Sequence, residues 1–446
     1  MNEIIAALIS HGKFAEARNE IIKMNVVDIA QLLEELDKSN ALIVFRLLPK
    51  DIAVEVFAYL SYEHQQFIIE SITDKEIQNI MDELFLDDTV ELIEEMPANI
   101  VKKILKNTND ETRKMINLIL KYPDNSAGSL MTIEYVDLKK EMTVKEALEH
   151  IKKTGVDKET IDICYVIDNN RKLEGSVPIR KLILSSENEK VSDIMDRNVI
   201  AVNTLIDQEE IAAMFKKYDL VAMPVVDNEN RLVGIITIDD VVDVIEQENT
   251  EDFYKMGAIT PTDVDEKYLK MGVFTLAKQR IVWLLVLMIS ATFTGRIIVR
   301  YENLLQSMVG LTAFIPMLMD TGGNAGTQAS TIIIRGLALG EIKFRNVFTI
   351  LWKEFRVSLL VGIALAGINF LRLYFLEKVG IATAVVVCIS LVITVVIAKI
   401  IGSLLPIGAK RLNLDPAIMA SPILTTIVDA ISLFTYFNVA MWILGK

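Results

Sequence analysis

Apolar residues recur in two different rhythms along this chain. Through residues 1–128 they form short amphipathic blocks, QLLEEL, AVEVFAYL, QQFIIESI, VELIEEM and IVKKIL, spaced about every twelve residues. Turn or cap residues separate them: Pro49-Lys50-Asp51, Thr73-Asp74, Asp87-Asp88 and Pro97-Ala98-Asn99. That rhythm predicts short helices stacked with their apolar stripes inward, as in a small solenoid. Toward the C-terminus the blocks give way to long apolar runs near 281–299, 304–337, 347–375, 381–407 and 416–444. Crossing about 30 Å of hydrocarbon takes roughly 20 helical residues. Five membrane helices are therefore expected over 280–446.

Between the two rhythms lies a repeat. YVIDNNRKLEGSVPIRKLI (165–183) aligns with PVVDNENRLVGIITIDDVV (224–242) at an offset of 59, bringing Asp168 onto Asp227, Leu173 onto Leu232 and Gly175 onto Gly234. LM at 130–131 matches IM at 194–195, with about five extra residues in the first copy near 155–160. Each copy predicts a strand, an Asn/Asp turn, a second strand and an amphipathic helix. Two such β-α-β-β-α copies resemble a tandem CBS pair, and the resemblance implies a ligand sensor that regulates an attached domain. CBS modules often hold a nucleotide ribose through Gly-x-x-Thr/Ser-x-x-Asp. The second copy carries Gly234, Thr237 and Asp240, whereas the first has Pro178 and Lys181 in the last two places, so one adenine-nucleotide site, for ATP or a relative, is a candidate. The expected domains are a helical acidic domain (1–128), a CBS pair (129–250, copies 129–190 and 191–250), a linker with an amphipathic connecting or plug helix (251–279), and a membrane domain (280–446). The fold class is thus a multidomain membrane protein: an all-α N-terminal domain, an α+β CBS pair and five transmembrane helices.

Charge changes the picture. The 446 residues carry a formal −14, but from Gly272 onward seven acids face fifteen Lys and Arg, leaving 53 acids against 31 bases before it. A first half near −22 repels phosphate backbones, whose binding needs Lys/Arg neutralisation, and so excludes a nucleic-acid binder. It attracts cations. Cys164 and Cys388 cannot build a disulfide framework, and His11, His64 and His150 lack ligand spacing. No catalytic constellation is present, so no enzyme is expected. The N-terminus has no apolar leader, which suggests a cytoplasmic acidic half and an extracytoplasmic C-terminus in the plasma membrane. Nine Lys and Arg then fall in inner loops and five in outer ones, in the expected sense, although Arg296 and Arg300 dissent.

The second apolar run is interrupted by IPMLMDTGGNAGTQAS (315–330). Asp320, Asn324 and Gln328 are four apart and share one helix face, while Gly322, Gly323 and Gly326 permit close backbone approach. The last run carries a similar stripe, Ser421, Thr425, Asp429 and Ser432. A mid-membrane carboxylate costs at least ~2.5 kcal/mol, so it should face water or a partner. Protonated acids bonded within the bundle are the structural alternative, more so for Asp320 than for Asp429. Oxygen-only groups suit a hard cation such as Mg²⁺ or Ca²⁺, and Mg²⁺ sheds water reluctantly. Asp429, the Gly323–Asn324 backbone, Thr327 and Thr425 could hold its hydration shell. One carboxylate per chain is too little charge, so a two-fold homodimer with paired Asp429 is expected.

The order of domains, PMLMDTGGNAGTQAS, DPA at 415–417 and TTIVD at 425–429 are similar to the MgtE family of bacterial magnesium channels, over nearly the whole chain. The resemblance implies Mg²⁺ entry through a dimer pore with Asp429 as the essential pore acid. Thr327 stands where the family often has Asn or Ser, and Ser421 where it often has Asn. It also implies a sensor that closes the pore when cytosolic Mg²⁺ is plentiful, with regulatory metal ligands at Asp87, Glu91, Glu209, Asp219, Asp240, Asp243, Glu248, Glu251, Asp252 and Asp415. Asp240 is claimed by both the metal and the nucleotide readings. A Co²⁺ or Ca²⁺ transporter with nucleotide-regulated CBS domains is the alternative.

Overall fold

The computed structural model describes residues 5, 7–9, 11–260, 268–269, 271–419 and 421–445. The chain divides into two compact units, Met1–Val244 and Ile245–Lys446.

The first unit begins with helices Phe14–Ile21, Val26–Glu35, Lys38–Leu47, Lys50–Ala58, Tyr62–Ser71, Asp74–Glu83, Leu86–Glu95, Ala98–Asn107 and Asp110–Ile119. Each starts twelve residues after the last. The residue before each start ends the preceding turn. Asn25, Asp37, Thr73 and Asn109 cap backbone N–H groups with their side chains, and Pro49 and Pro97 occupy the same place in two others. Side-chain caps of this kind are worth about 1 kcal/mol each. Ile29, Leu33, Val44, Phe57, Ile69, Ile77 and Ile104 belong to one continuous, fully buried core running through the stack. Every helix is too short to persist alone, so stability comes from that shared stripe.

The repeat then appears as two three-stranded sheets of identical order. β1 (Asp137–Leu138) pairs parallel with β2 (Ile163–Ile167), which pairs antiparallel with β3 (Leu173–Pro178). β4 (Val202–Asn203), β5 (Ala222–Val226) and β6 (Leu232–Thr237) repeat this, down to a register shift at Val166/Ile167 and Val225/Val226. Each copy's hairpin grips the segment that leads the other copy. Thr132 and Ile235 exchange backbone hydrogen bonds of 2.9 and 2.8 Å, and Ser176 and Asp196 exchange two of 2.9 Å. Gly175 and Gly234 make this approach possible, since a methyl group there would sit 2.8 Å from the Asp196 carbonyl and 2.7 Å from that of Thr132.

Helix Ile238–Met256 leaves the second copy and runs on past the end of the first unit. The amphipathic segment expected over 256–279 lies partly outside the described residues; helix begins again at Val273.

The second unit is a helical bundle. Among the described residues, helices Val273–Arg300, Val347–Leu371, Ile381–Arg411 and Ser421–Leu444 supply four candidate membrane spans by length and composition. The expected count of five is not met on that measure. The run at 304–337 is not one apolar span: it breaks into a short helix (Glu302–Ser307), a 3₁₀ turn (Val309–Phe314) and the motif helix Ile315–Ala338. That 24-residue helix is long enough to cross, but its Asp, Asn, Gln, Ser and Gly content lowers its hydropathy.

The motif helix packs chiefly on Ile381–Arg411 and Ser421–Leu444. Its Gly322, Gly323 and Gly326 are buried on that side. A methyl at 322 would meet Ser432 Oγ at 2.8 Å, and one at 326 the Ala398 carbonyl at 3.2 Å. A methyl at Gly402 would overlap the Gly326 carbonyl oxygen outright. Lys399, buried in the same bundle, is paired with Glu354 at 3.9 Å. Gly402→Ala should therefore destabilise the bundle by about 1–3 kcal/mol through overpacking, whereas Gly367→Ala, with nothing within 4 Å, should not. Thermal unfolding of the two purified variants in detergent checks this.

Candidate metal sites

The first site is a cavity of about 620 Å³ within the first unit. Ten of its lining residues are acidic and none is basic. Four expected positions meet there: Asp87, Glu91, Asp240 and Asp243. Asp88, Glu159, Asp239, Glu34, Glu55 and Glu83 join them and were not anticipated from sequence. Helix starts deliver the acids. Asp87 and Asp88 stand in the first turn of Leu86–Glu95, and Asp239 and Asp240 in the first turn of Ile238–Met256, where the helix dipole offsets negative charge. Phe85 offers Leu86–Glu95 no side-chain cap; Glu134, from the CBS half, accepts from the Leu86 N–H at 3.4 Å instead. Tyr62 donates to Glu91 at 2.7 Å and Thr237 to Asp240 at 3.0 Å.

Crowding shifts these acids upward. Burial, then the charge of Asp240, holds Asp87 well above the usual carboxylate range. Burial with Glu91 nearby raises Asp88 to about 6, and burial with Asp239 nearby raises Glu159 and Asp240 each to about 7. Among the described residues no group of three or more His, Cys, Asp or Glu is arranged to hold a metal ion directly. Ten carboxylates with no basic side chain among the lining residues make the cavity strongly attractive to cations.

The remaining expected regulatory acids do not join this cavity. Glu209 lies in the first turn of Gln208–Tyr218 and Asp219 at that helix's left-handed C-cap, both exposed. Glu248, Glu251 and Asp252 lie on Ile238–Met256 within the second unit, as does Asp415. Glu251 and Asp415 both contact Lys255, at 2.6 Å each.

The second site is the polar stripe. Asp320, Asn324 and Gln328 are exposed along the motif helix, opposite its buried glycines. The final helix brings Thr425 against Gly323, where a methyl would lie 3.1 Å from Thr425 Cγ2. Thr425 Oγ1 donates to the Pro422 carbonyl at 3.1 Å. Asp429 is half-buried one turn further on. Thr327 is half-buried on the motif helix, and Ser421 opens the final one. Gly234 serves a contact between the CBS copies, and the hydroxyl proton of Thr237 is committed to Asp240.

Comparison with known proteins bears on both sites. The family model described as a divalent cation transporter, MgtE, matches residues 315–439, and that of the MgtE intracellular N domain matches 24–125. A CBS domain model matches 191–247, the second copy of the repeat. The magnesium transporter MgtE of Thermus thermophilus is 35% identical over 447 residues, covering 98% of this chain and 97% of that one. The chain belongs to the MgtE family. MgtE of Bacillus subtilis is 32% identical, across 98% of this chain and 96% of its own. The crystal structure of the cytosolic domain of the Mg²⁺ channel MgtE in complex with ATP is similar at a TM-score of 0.52 and 34% identity, covering 55% of this chain and 100% of that domain. As an MgtE this is a membrane protein of a transporter family, with a helical N domain, a CBS pair and a helical membrane region.

Acids whose folded values are raised bind more protons folded than unfolded, so without metal the first unit of this MgtE should lose stability as pH rises from about 4 through 7. Divalent ions must displace those protons. Mg²⁺ added to the lightly buffered full chain at pH 7 should release protons, read by an indicator dye. Release should vanish at pH 9 and shrink in Glu159→Gln/Asp240→Asn, and apparent Mg²⁺ affinity should fall as pH drops from 8 to 6.

Proposed function

We propose that the protein admits Mg²⁺ to the cytoplasm through a pore formed where two copies of the motif helix and final helix meet, and that cytosolic Mg²⁺ gathering in the acidic cavity closes it. The observation that carries the pore is the exposed line of Asp320, Asn324 and Gln328 beside Thr425 and Asp429, on a helix of otherwise apolar purpose. A divalent ion needs more negative charge than one protomer's Asp429 supplies, which favours a homodimer with the two Asp429 side chains paired across its axis. Carboxylate, hydroxyl and carbonyl oxygens are hard ligands that hydrogen-bond bound water, so the cargo passes with much of its hydration shell in place. The N-terminus is cytoplasmic and the C-terminus outside, with the motif helix as a fifth crossing. Co²⁺ or Ca²⁺ as the main cargo is disfavoured, because the relatives spanning nearly the whole chain are magnesium transporters.

Closure follows from charge. Unscreened, the acids of the cavity repel one another, and Mg²⁺ between Asp87, Glu91, Asp240 and Asp243 favours the compact arrangement. Glu209, Asp219, Glu248 and Asp252 extend the acidic surface outside the cavity. An adenine nucleotide at the CBS pair is a second proposed ligand, supported by the ATP-bound cytosolic domain of an MgtE.

Flux into liposomes tests the pore. Asp429→Ala should cut Mg²⁺ entry by roughly tenfold or more, at about 1.4 kcal/mol per tenfold, while eluting as the same oligomer; unchanged flux, or a purely monomeric native protein, overturns the reading. Asp87→Asn/Glu91→Gln/Asp243→Asn should keep flux high at millimolar internal Mg²⁺, where the native protein closes.

A further inference from the structure

Glu251 and Asp415 were both expected among the regulatory metal ligands. Instead the ammonium of Lys255 lies between them, 2.6 Å from Glu251 Oε1 and 2.6 Å from Asp415 Oδ2. The lysine side chain is 23% exposed, and the two acids are 33% and 28% exposed. Glu251 precedes Lys255 by one helical turn, whereas Asp415 comes from the turn before the final helix. The other Asp415 oxygen is committed too: Oδ1 accepts from the Ala417 N–H at 2.8 Å, capping the 3₁₀ turn Pro416–Met419. A lysine ammonium held between two carboxylates carries its charge at any physiological pH.

We propose that Lys255 is the resident cation of the Glu251–Asp415 pair, a tethered ammonium that joins the end of helix Ile238–Met256 to the start of the pore-forming helix without a metal ion. The inference rests on the reading that divalent ions bridge carboxylates in this protein, and it removes two acids from the set that does so. A Mg²⁺ ion placed between these carboxylates would meet a fixed positive charge and would have to displace the ammonium. The helix that begins with Asp239 and Asp240 is thereby fastened at its far end even when Mg²⁺ is scarce. Removing the lysine charge would turn the fastening into a metal-dependent one.

Counting bound Mn²⁺ on the purified full-length protein by electron paramagnetic resonance tests this. The native protein and Asp415→Asn should bind equal numbers of Mn²⁺ per chain. Lys255→Gln should bind one more, Lys255→Gln/Asp415→Asn should lose it again, and Lys255→Arg should match the native count. Loss of one ion in Asp415→Asn alone, or an unchanged count in Lys255→Gln, overturns the proposal. Should Lys255→Gln fail to fold, the Asp415→Asn count still decides. Failure of the pore reading would show in the Asp429→Ala flux and not in this count.

Discussion

Like charges brought together against their own repulsion are the constraint on which the first unit depends. Ten carboxylates line one cavity with no basic side chain among the lining residues. Two helix starts lend partial positive charge to that space, and raised proton affinity neutralises part of the rest. Neither removes the repulsion at neutral pH. The proposed role of Mg²⁺ is to screen what remains.

The membrane unit meets the opposite difficulty, that of bringing backbones together where lipid offers no hydrophobic drive to do so. Glycines at 322, 323, 326 and 402 let the motif helix lie directly on its neighbours. Close packing on that side leaves the polar residues of the same helix turned the other way, exposed. Close packing and polar exposure are thus two faces of one sixteen-residue motif, with small residues on one and oxygen-bearing ones on the other.

Much of this was legible in the sequence, because it depends on periodicity. The twelve-residue spacing of helix starts and the offset of 59 between CBS copies both appear in the structure as read. The 304–337 run holds the expected motif helix, whose polar and glycine content keeps it below the apolarity of the other four long helices. The cavity was half legible. Asp88, Glu159 and Asp239 resemble any solvated acid until the fold sets three segments facing one another. Lys255 was silent for a related reason: its second partner is 160 residues away, and nothing local to KMGAIT distinguishes it from a surface lysine.

The two CBS copies are alike in strand order, register and interlocking glycines, but the first is longer by a few residues around the 3₁₀ turn Gly155–Asp157. Glu159 stands in that added stretch, its N–H bonded to the Glu134 carbonyl at 2.9 Å, and it reaches the cavity. The duplicated half without the insertion has no counterpart to it. A gene doubling yields a symmetric object, and symmetric objects offer two equivalent faces to a neighbour. The inserted residues here break the likeness of the two copies, since the first sends an acid from this loop to the cavity and the second does not.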